Sequence, residues 1–270
     1  MNGPHGRALP DGLATVFPDG ETLTRMMALR DEFTAFMLQY KFAIDEVLTK
    51  VSILRDEFTH LHHENPIEHV TSRLKSPDSV LDKVERKGVH ADFDAIRASI
   101  LDIAGVRIIC SFVPDIYTVL EALRRQDDLT VLEVRDYIAE PKPNGYRSLH
   151  LIVSVPVFLS SGTVPVTVEI QIRTSAMDFW ASLEHKIYYK YDRQVPAGIV
   201  DQLRQSALVA AELDATMNDL REQVAALDGD DADGSAIVAP SLPGAVPTHA
   251  AFIPLPPLLE RLVALRSRRR

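Results

Sequence analysis

A single cysteine, Cys110, stands in a chain of 270 residues, so no disulfide can close within it and the thiol content fits a reducing compartment. No apolar run approaches the roughly 20 residues that cross a bilayer. The opening "MNGPHGRALPDG" has no signal-peptide hydrophobic stretch. The expected address is therefore cytoplasmic, with no membrane partner. Bases are in short supply as well: a net charge of −9 argues against a protein that coats duplex nucleic acid nonspecifically. Also missing are a GxxxxGK[ST] loop, a Gly-x-Ser-x-Gly elbow and any pair of cysteines. Their absence excludes a P-loop phosphate cradle, an α/β-hydrolase nucleophile and a cysteine-paired zinc site.

What is present is an ordinary globular composition, 46% hydrophobic and 25% charged, long enough to bury a full core. Apolar residues recur at three-and-four spacing from Met26 to Leu61, which predicts one long helix or two in series. "SPDSVLDKVERKG" reads as a helix with a glycine stop at Gly88, and "HADFDAIRASILDIAG" as a short helix. "GVRIICSF", "LTVLEVRDYI", "YRSLHLIVSVPVF" and "VPVTVEIQIRT" read as strands, and "PDIYTVLEALRRQ" as a helix opened by proline. "SAMDFWASLEHKIYYKY" and a segment from about Pro196 to Leu227 supply two more helices. The expected class is α/β (α+β): a mixed sheet of about four to five strands flanked by helices, with long helices at both ends. The expected division is a flexible lead-in over residues 1–20, a folded unit over 21–227, and an Ala/Pro-rich disordered tail with a basic end over 228–270.

The strands carry an unusual polar set. In "VPVTVEIQIRT", Val164, Val166, Val168, Ile170 and Ile172 share one face, while Thr167, Glu169, Gln171 and Arg173 share the other. Arg107, Arg135 and His150 also sit in aliphatic strands. If those faces coincide, one side of the sheet offers cations, an amide and a carboxylate to phosphates and a metal. Asp102, at a helix-to-strand junction, together with Glu169 makes a carboxylate pair suited to Mg²⁺, which needs few protein oxygens beside substrate phosphates. Arg73, Lys75, Ser79 and Lys83 are expected on a loop leading into a helix whose first-turn N–H groups face an anion. Ser79 and Lys83, four apart, share a face of that helix. "EPKPNGYRSLHLIV" passes from a loop into a strand and bears Tyr146, read as exposed, with His150 four residues on. "HLHHE" (His60, His62, His63, Glu64) lacks HExxH spacing and is discounted as a zinc site. Cys110 and Trp180 are assigned to the core.

"SRLKSPDSVLDKVERKG", "DIAGVRIICSF", "EPKPNGYRSLHLIV" and "VEIQIRTSAMDFWASLEHKIYYKY" together resemble the successive motifs of RelA/SpoT-type (p)ppGpp synthetases, and most of all the single-domain small alarmone synthetases of the RelQ type. The resemblance runs from about Pro66 to Tyr191. It implies a nucleotidyltransferase-like synthetase fold and a transfer of the β,γ-pyrophosphate of ATP to the 3′-hydroxyl of GDP or GTP, leaving AMP. By the same resemblance, Arg73, Lys75, Ser79 and Lys83 hold ATP phosphates, with Arg73 and Arg107 bracketing adenine. Asp102 and Glu169 bind Mg²⁺, and Glu169 also accepts the proton of the attacking hydroxyl. Tyr146 stacks on guanine; Arg135, Lys142 and His150 meet phosphates; Gln171, Asp178 and Glu184 complete the acceptor side. A homotetramer, and allosteric binding of (p)ppGpp or RNA, belong to the same implications.

Two departures from the pattern bear on detail. Asp178 stands where some relatives carry Asn, which puts the acceptor preference in question. His69 in "PIEHVTSR" replaces an aromatic common before "VTxR", which puts activation by pppGpp in question. No His-Asp dipeptide occurs, so synthesis without hydrolysis is expected. Two rivals remain: a related pyrophosphokinase toxin that modifies the 3′ end of tRNA, and an inactive regulator that binds nucleotides or RNA.

Overall fold

The computed structural model of the chain describes residues 20–62, 65–190, 195–230, 261, 264 and 265. The lead-in before Gly20 and residues 231–260 of the expected tail lie outside the described residues, as do His63 and Glu64 of the discounted "HLHHE" run.

Five strands form one mixed sheet, β1 (Ile67–Leu74), β2 (Ala104–Cys110), β3 (Thr130–Asp136), β4 (Leu149–Leu159) and β5 (Gly162–Thr174), in the order β1-β2-β5-β4-β3. β2 and β5 run parallel and every other pair is antiparallel. Six α-helices are described: α1 (Gly20–Glu57), α2 (Pro77–Lys87), α3 (Phe93–Ser99), α4 (Val113–Arg124), α5 (Ser175–Lys190) and α6 (Ala197–Asp230). A single wider turn over Phe58–His62 ends α1.

The alternation along β5 is the organising feature. Val166, Val168, Ile170 and Ile172 are completely buried, in one core with Phe33, Tyr40, Val47 and Val51 of α1 and Ile116, Val119 and Leu123 of α4. Burial of an aliphatic or aromatic side chain contributes about 1.5–3 kcal/mol, so one face of the sheet is committed to these two helices. The opposite face is left to Glu169, Gln171 and Arg173.

Local chemistry sets the helix ends nearest that polar face. Ser76 caps α2 by accepting a hydrogen bond from the Ser79 N–H at 3.3 Å, Pro77 opens the first turn, and Gly88 closes it at φ 63°. Asp92 caps α3 through the Ala95 N–H at 2.8 Å. Arg261, beyond the undescribed segment, docks on α2 by pairing with Asp82 and Glu85, and Leu265 packs against the core.

One strand departs from expectation. Arg73 was expected on a loop, yet it lies in β1, paired in register with Gly105. β1 is an edge strand with most side chains exposed, so it lacks the alternating apolar pattern by which a half-buried strand is recognised.

Candidate active site

Register brings the polar strand residues into one row. Arg107 on β2 pairs with Gln171 on β5, Gln171 with His150 on β4, and His150 with Arg135 on β3. Directly opposed residues point to the same side of a sheet, so these four side chains share a face. Glu169 stands two residues along from Gln171 on that face, opposite Gly105. Gly105 adds no side chain on the β2 side of Glu169, with Ile152 opposite it on β4 and Arg73 beyond Gly105 on β1.

At the centre, Tyr146, His150 and Glu169 form a hydrogen-bonded line. Arg173 Nη2 donates to Tyr146 Oη at 2.6 Å, and Tyr146 Oη lies 2.7 Å from His150 Nε2. The phenol oxygen, already accepting from arginine, can give its own proton to a neutral Nε2 or accept from a protonated one. Either way Nδ1–H of His150 donates to Glu169 Oε1 at 3.0 Å. Gln171 Nε2 donates to the other carboxylate oxygen at 2.9 Å. Burial alone would raise the Glu169 pKa, and the negative charge of Asp102 adds to that; the hydrogen bond and charge of His150, with the bond from Gln171, outweigh both and hold it below the usual glutamate value.

One edge of the row gathers around Asp102. Lys83 Nζ donates to its Oδ2 at 2.6 Å and Lys75 Nζ lies 3.4 Å from the same oxygen. Burial pushes the Asp102 pKa up, but these two ammonium groups push harder in the opposite direction, and the net shift is downward. Asp102 Oδ1 is buried and, among the described residues, accepts no hydrogen bond. An orphaned carboxylate oxygen of this kind is costly unless something fills it, and a hard cation is a fitting occupant. Among the described residues no group of three or more His, Cys, Asp or Glu side chains comes together as a complete metal cage. A cation held here would complete its shell with water and phosphate oxygens, as Mg²⁺ does.

Loop 139–148 brings up the remaining residues. Gly145 adopts φ 91°, a conformation glycine reaches without penalty, and the Lys142 N–H donates to the Tyr146 carbonyl at 3.1 Å. Asn144 accepts from the Tyr146 N–H at 3.2 Å and donates to Glu184 Oε1 of α5 at 3.0 Å. Tyr146, read as exposed, is half-buried. Its ring packs on the small cluster formed by Trp180, Leu203 and Ala207 of α5 and α6. The Lys142 ammonium lies 4.4 Å from the ring centre of Tyr137 and 4.7 Å from that of Tyr146, and burial lowers its pKa.

Not every expected residue turns inward. Arg135 is engaged by its own strand, with two hydrogen bonds to Glu133 at 2.7 and 2.6 Å. Arg73, opposite Gly105, shares the face of the row but stands exposed at its β1 edge, and Ser79 Oγ lies 2.8 Å from Ser76 Oγ. Arg173 received no role from the sequence, yet it is the hub: it is 4% exposed and donates to Tyr146, Gln171 and Asp178. Its place on the polar face of β5 was the available signal. Tyr137, edge-on to His150 at 5.2 Å, had none. Cys110 is buried with its thiol pKa well up, and Trp180 donates its ring N–H to the Leu203 carbonyl; both belong to the core. A cavity of about 820 Å³ lies elsewhere, between Phe58, Pro66, Phe112, Tyr117 and Arg221, and shares no residue with this site.

The arrangement is thus a carboxylate with a depressed pKa, a second carboxylate with an unfilled oxygen, and a surround of fixed cations. It suits the transfer of a phosphorus group between two anionic substrates. Comparison with known proteins agrees. Residues 72–194 match the family described as "Region found in RelA / SpoT proteins". Over 188 residues the chain is 51% identical to the GTP pyrophosphokinase YwaC of Bacillus subtilis (strain 168), covering 70% of this chain and 90% of that protein. The crystal structure of small alarmone synthetase 2 from Bacillus subtilis superimposes with a TM-score of 0.66 at 49% identity, over 71% of this chain and 99% of that one. Small alarmone synthetase 1 from the same organism, bound to its product pppGpp, superimposes with a TM-score of 0.68 at 41% identity, over 72% and 99%.

Proposed function

The chain belongs to the RelA/SpoT family, among the small alarmone synthetases, and on that premise we infer that it is a GTP pyrophosphokinase, moving the β,γ-pyrophosphate of ATP to the 3′-hydroxyl of GDP or GTP. One observation supports this reading above the others. The row Arg107–Gln171–His150–Arg135 and the carboxylate of Glu169 lie on one open face of the sheet, with the Asp102 and lysine cluster at its edge.

Glu169 is the group that takes the proton of the attacking ribose hydroxyl. The new bond forms between the 3′-oxygen and the β-phosphorus of ATP. The bond from that phosphorus to the α,β-bridging oxygen breaks, and AMP departs with the electron pair. A depressed pKa keeps Glu169 ionised and able to accept. Lys75 and Lys83 meet ATP phosphates, exchanging part of their hold on Asp102 for phosphate oxygens, while Ser79 lies on the first turn of α2 beside them. Arg73 and Arg107 bracket adenine. Tyr146 stacks on guanine, and Lys142, His150 and Arg135 take up phosphate charge; Arg135 has to leave Glu133 to do so. Gln171, Asp178 and Glu184 complete the acceptor side. Asp102 and Glu169 would hold Mg²⁺, which would supply neutralisation of charge on the transferred group. The reading is of synthesis without hydrolysis, and of a cytoplasmic enzyme.

A homotetramer is part of the proposal. Leu213, Met217, Leu220, Val224 and Leu227 of α6 are all exposed and follow one another at four-three-four-three spacing, the pattern of a helix seam that meets another helix. Leu23, Met27, Leu38 and Phe42 of α1 are exposed as well.

The deciding experiment incubates the protein with ATP, Mg²⁺ and either GDP or GTP and resolves the nucleotides by anion exchange. A guanine nucleotide of higher charge, formed with equal AMP and absent with Glu169→Gln, is expected. No such product, with pppGpp added as activator, defeats the reading; tRNA as acceptor is the next substrate to try.

A further inference from the structure

Each face of α2 meets something different. Val80, Leu81 and Val84 are completely buried in the core. Lys83 reaches Asp102 at 2.6 Å, so a second side belongs to the candidate active site. Asp78, Asp82 and Glu85 are exposed and follow at four-three spacing, which sets them along one outer stripe. A stripe of acids is ordinarily a solvated face. This one is occupied: Arg261 Nη2 pairs with both Asp82 and Glu85, at 3.1 Å from the Glu85 carboxylate. Arg261 and Leu265 are both helical and, four apart, lie on one side of their turn. Leu265 packs against the core. Both stand beyond residues 72–194, the span that matches the RelA/SpoT family, so this contact is an addition to the shared fold.

We propose that the helical segment carrying Arg261 and Leu265 is an intramolecular arm that seats on the acidic stripe of α2 and favours ATP on the Lys83 side of that helix. The proposal rests on the pyrophosphokinase reading only for naming ATP as the ligand there. Two effects act in the same direction. Seated, the arm holds α2 from outside, and with it the Lys83 ammonium and the first turn bearing Ser79. Its guanidinium also offsets two carboxylates, one next to Lys83 and one two residues on, that otherwise repel phosphate oxygens. Each ion pair is solvent-accessible and contributes little on its own. The arm is joined to α6 through residues 231–260, however, so its effective concentration far exceeds that of a free peptide, and weak contacts are enough to seat it. Salt screens such pairs, so raising the ionic strength releases the arm and weakens ATP.

Hydrogen exchange read by mass spectrometry, together with calorimetric titration of AMPCPP in Mg²⁺ and of GDP, tests this on the full chain. In Arg261→Ala, amides of α2 are expected to exchange faster, AMPCPP to bind about two- to fivefold more weakly, and GDP to bind as before. With Asp82→Asn and Glu85→Gln already in place the seat has lost its charges, and Arg261→Ala then changes nothing further. A general loss of structure would weaken both nucleotides and show no such dependence on the α2 acids. Unaltered α2 exchange in Arg261→Ala overturns the seat. Faster exchange with unchanged AMPCPP affinity, or an equal weakening of GDP, overturns the link to ATP. A full effect of Arg261→Ala in the Asp82→Asn, Glu85→Gln background shows that the arm acts elsewhere, and overturns the proposal too. Should the unaltered protein bind no AMPCPP, the pyrophosphokinase reading fails, while the exchange result still decides whether the arm is seated.

Discussion

Glu169 and Asp214 show how environment sets what a carboxylate can do. Glu169 is buried, which by itself raises its pKa, yet His150 and Gln171 bring it below the ordinary value. Removing His150 removes the strongest lowering influence and leaves burial in charge. In His150→Ala the carboxyl should therefore protonate at higher pH, and the acid limb of the kcat/KM profile should move toward neutrality. An unmoved limb would count against Glu169 as the proton acceptor. Glu169→Gln, which cannot accept the proton, should reduce turnover by about 10²–10⁴-fold. Asp214 on α6 is the opposite case: it is 8% exposed, and burial raises its pKa despite the hydrogen bond from Thr174 Oγ1 at 2.8 Å. A carboxyl whose folded-state pKa lies above its unfolded value contributes most below the unfolded value and loses that contribution as pH rises through the folded one. Asp214→Asn keeps an acceptor for Thr174 without the buried charge. It should raise the urea midpoint at neutral pH, with the gain shrinking as pH falls toward 4.

At the level of elements, loop 139–148, which the proposal gives to the acceptor nucleotide, is set by its contact with α6. A Cβ on Gly145 would come within 2.5 Å of the Ala207 Cβ, and φ is 91° there. Gly145→Ala should cost about 1–3 kcal/mol in stability through overpacking and backbone strain. It should also raise KM for GDP or GTP more than KM for ATP, because Tyr146 is next in the chain. Equal effects on both would show that the loop does not serve one substrate. This proximity was invisible in "PKPNGYRS", where glycine and proline announced a turn but not the helix it meets. β1 was hidden for another reason. An edge strand with exposed Glu68, His69, Thr71, Ser72 and Arg73 needs no apolar alternation, since it is recruited by backbone pairing with β2.

At the level of the whole molecule, the exposed stripe of α6 bears on association. The same helix turns Leu203 and Ala207 toward Trp180 and Tyr146, so its inner face supports loop 139–148 while its outer face stays open. Paired substitutions Leu220→Glu and Val224→Glu place charges on the seam without touching that inner face. Light scattering after gel filtration should show a smaller assembly for the double variant than for the unaltered protein, with the same far-ultraviolet circular dichroism. An unchanged mass would remove α6 from the interface.

The chain's own pattern was enough for the alternation of β5, the caps and glycine stop of α2, the two long terminal helices and the burial of Cys110 and Trp180. Each depends on neighbours a few residues away, through backbone geometry and the two periods of 2 and 3.6. Membership of the polar row was legible for Glu169, Gln171 and His150 because polar groups interrupt otherwise aliphatic strands there. Only the tertiary structure could decide that Arg173 is the hub, that Asp178 carries two arginines on one oxygen, that Arg135 is held by Glu133, and that Lys75 and Lys83 share Asp102. Those facts depend on strand register and on which helix comes to rest against which edge. Residues 21 positions apart, such as His150 and Gln171, become neighbours on the folded sheet only through packing that no local pattern encodes.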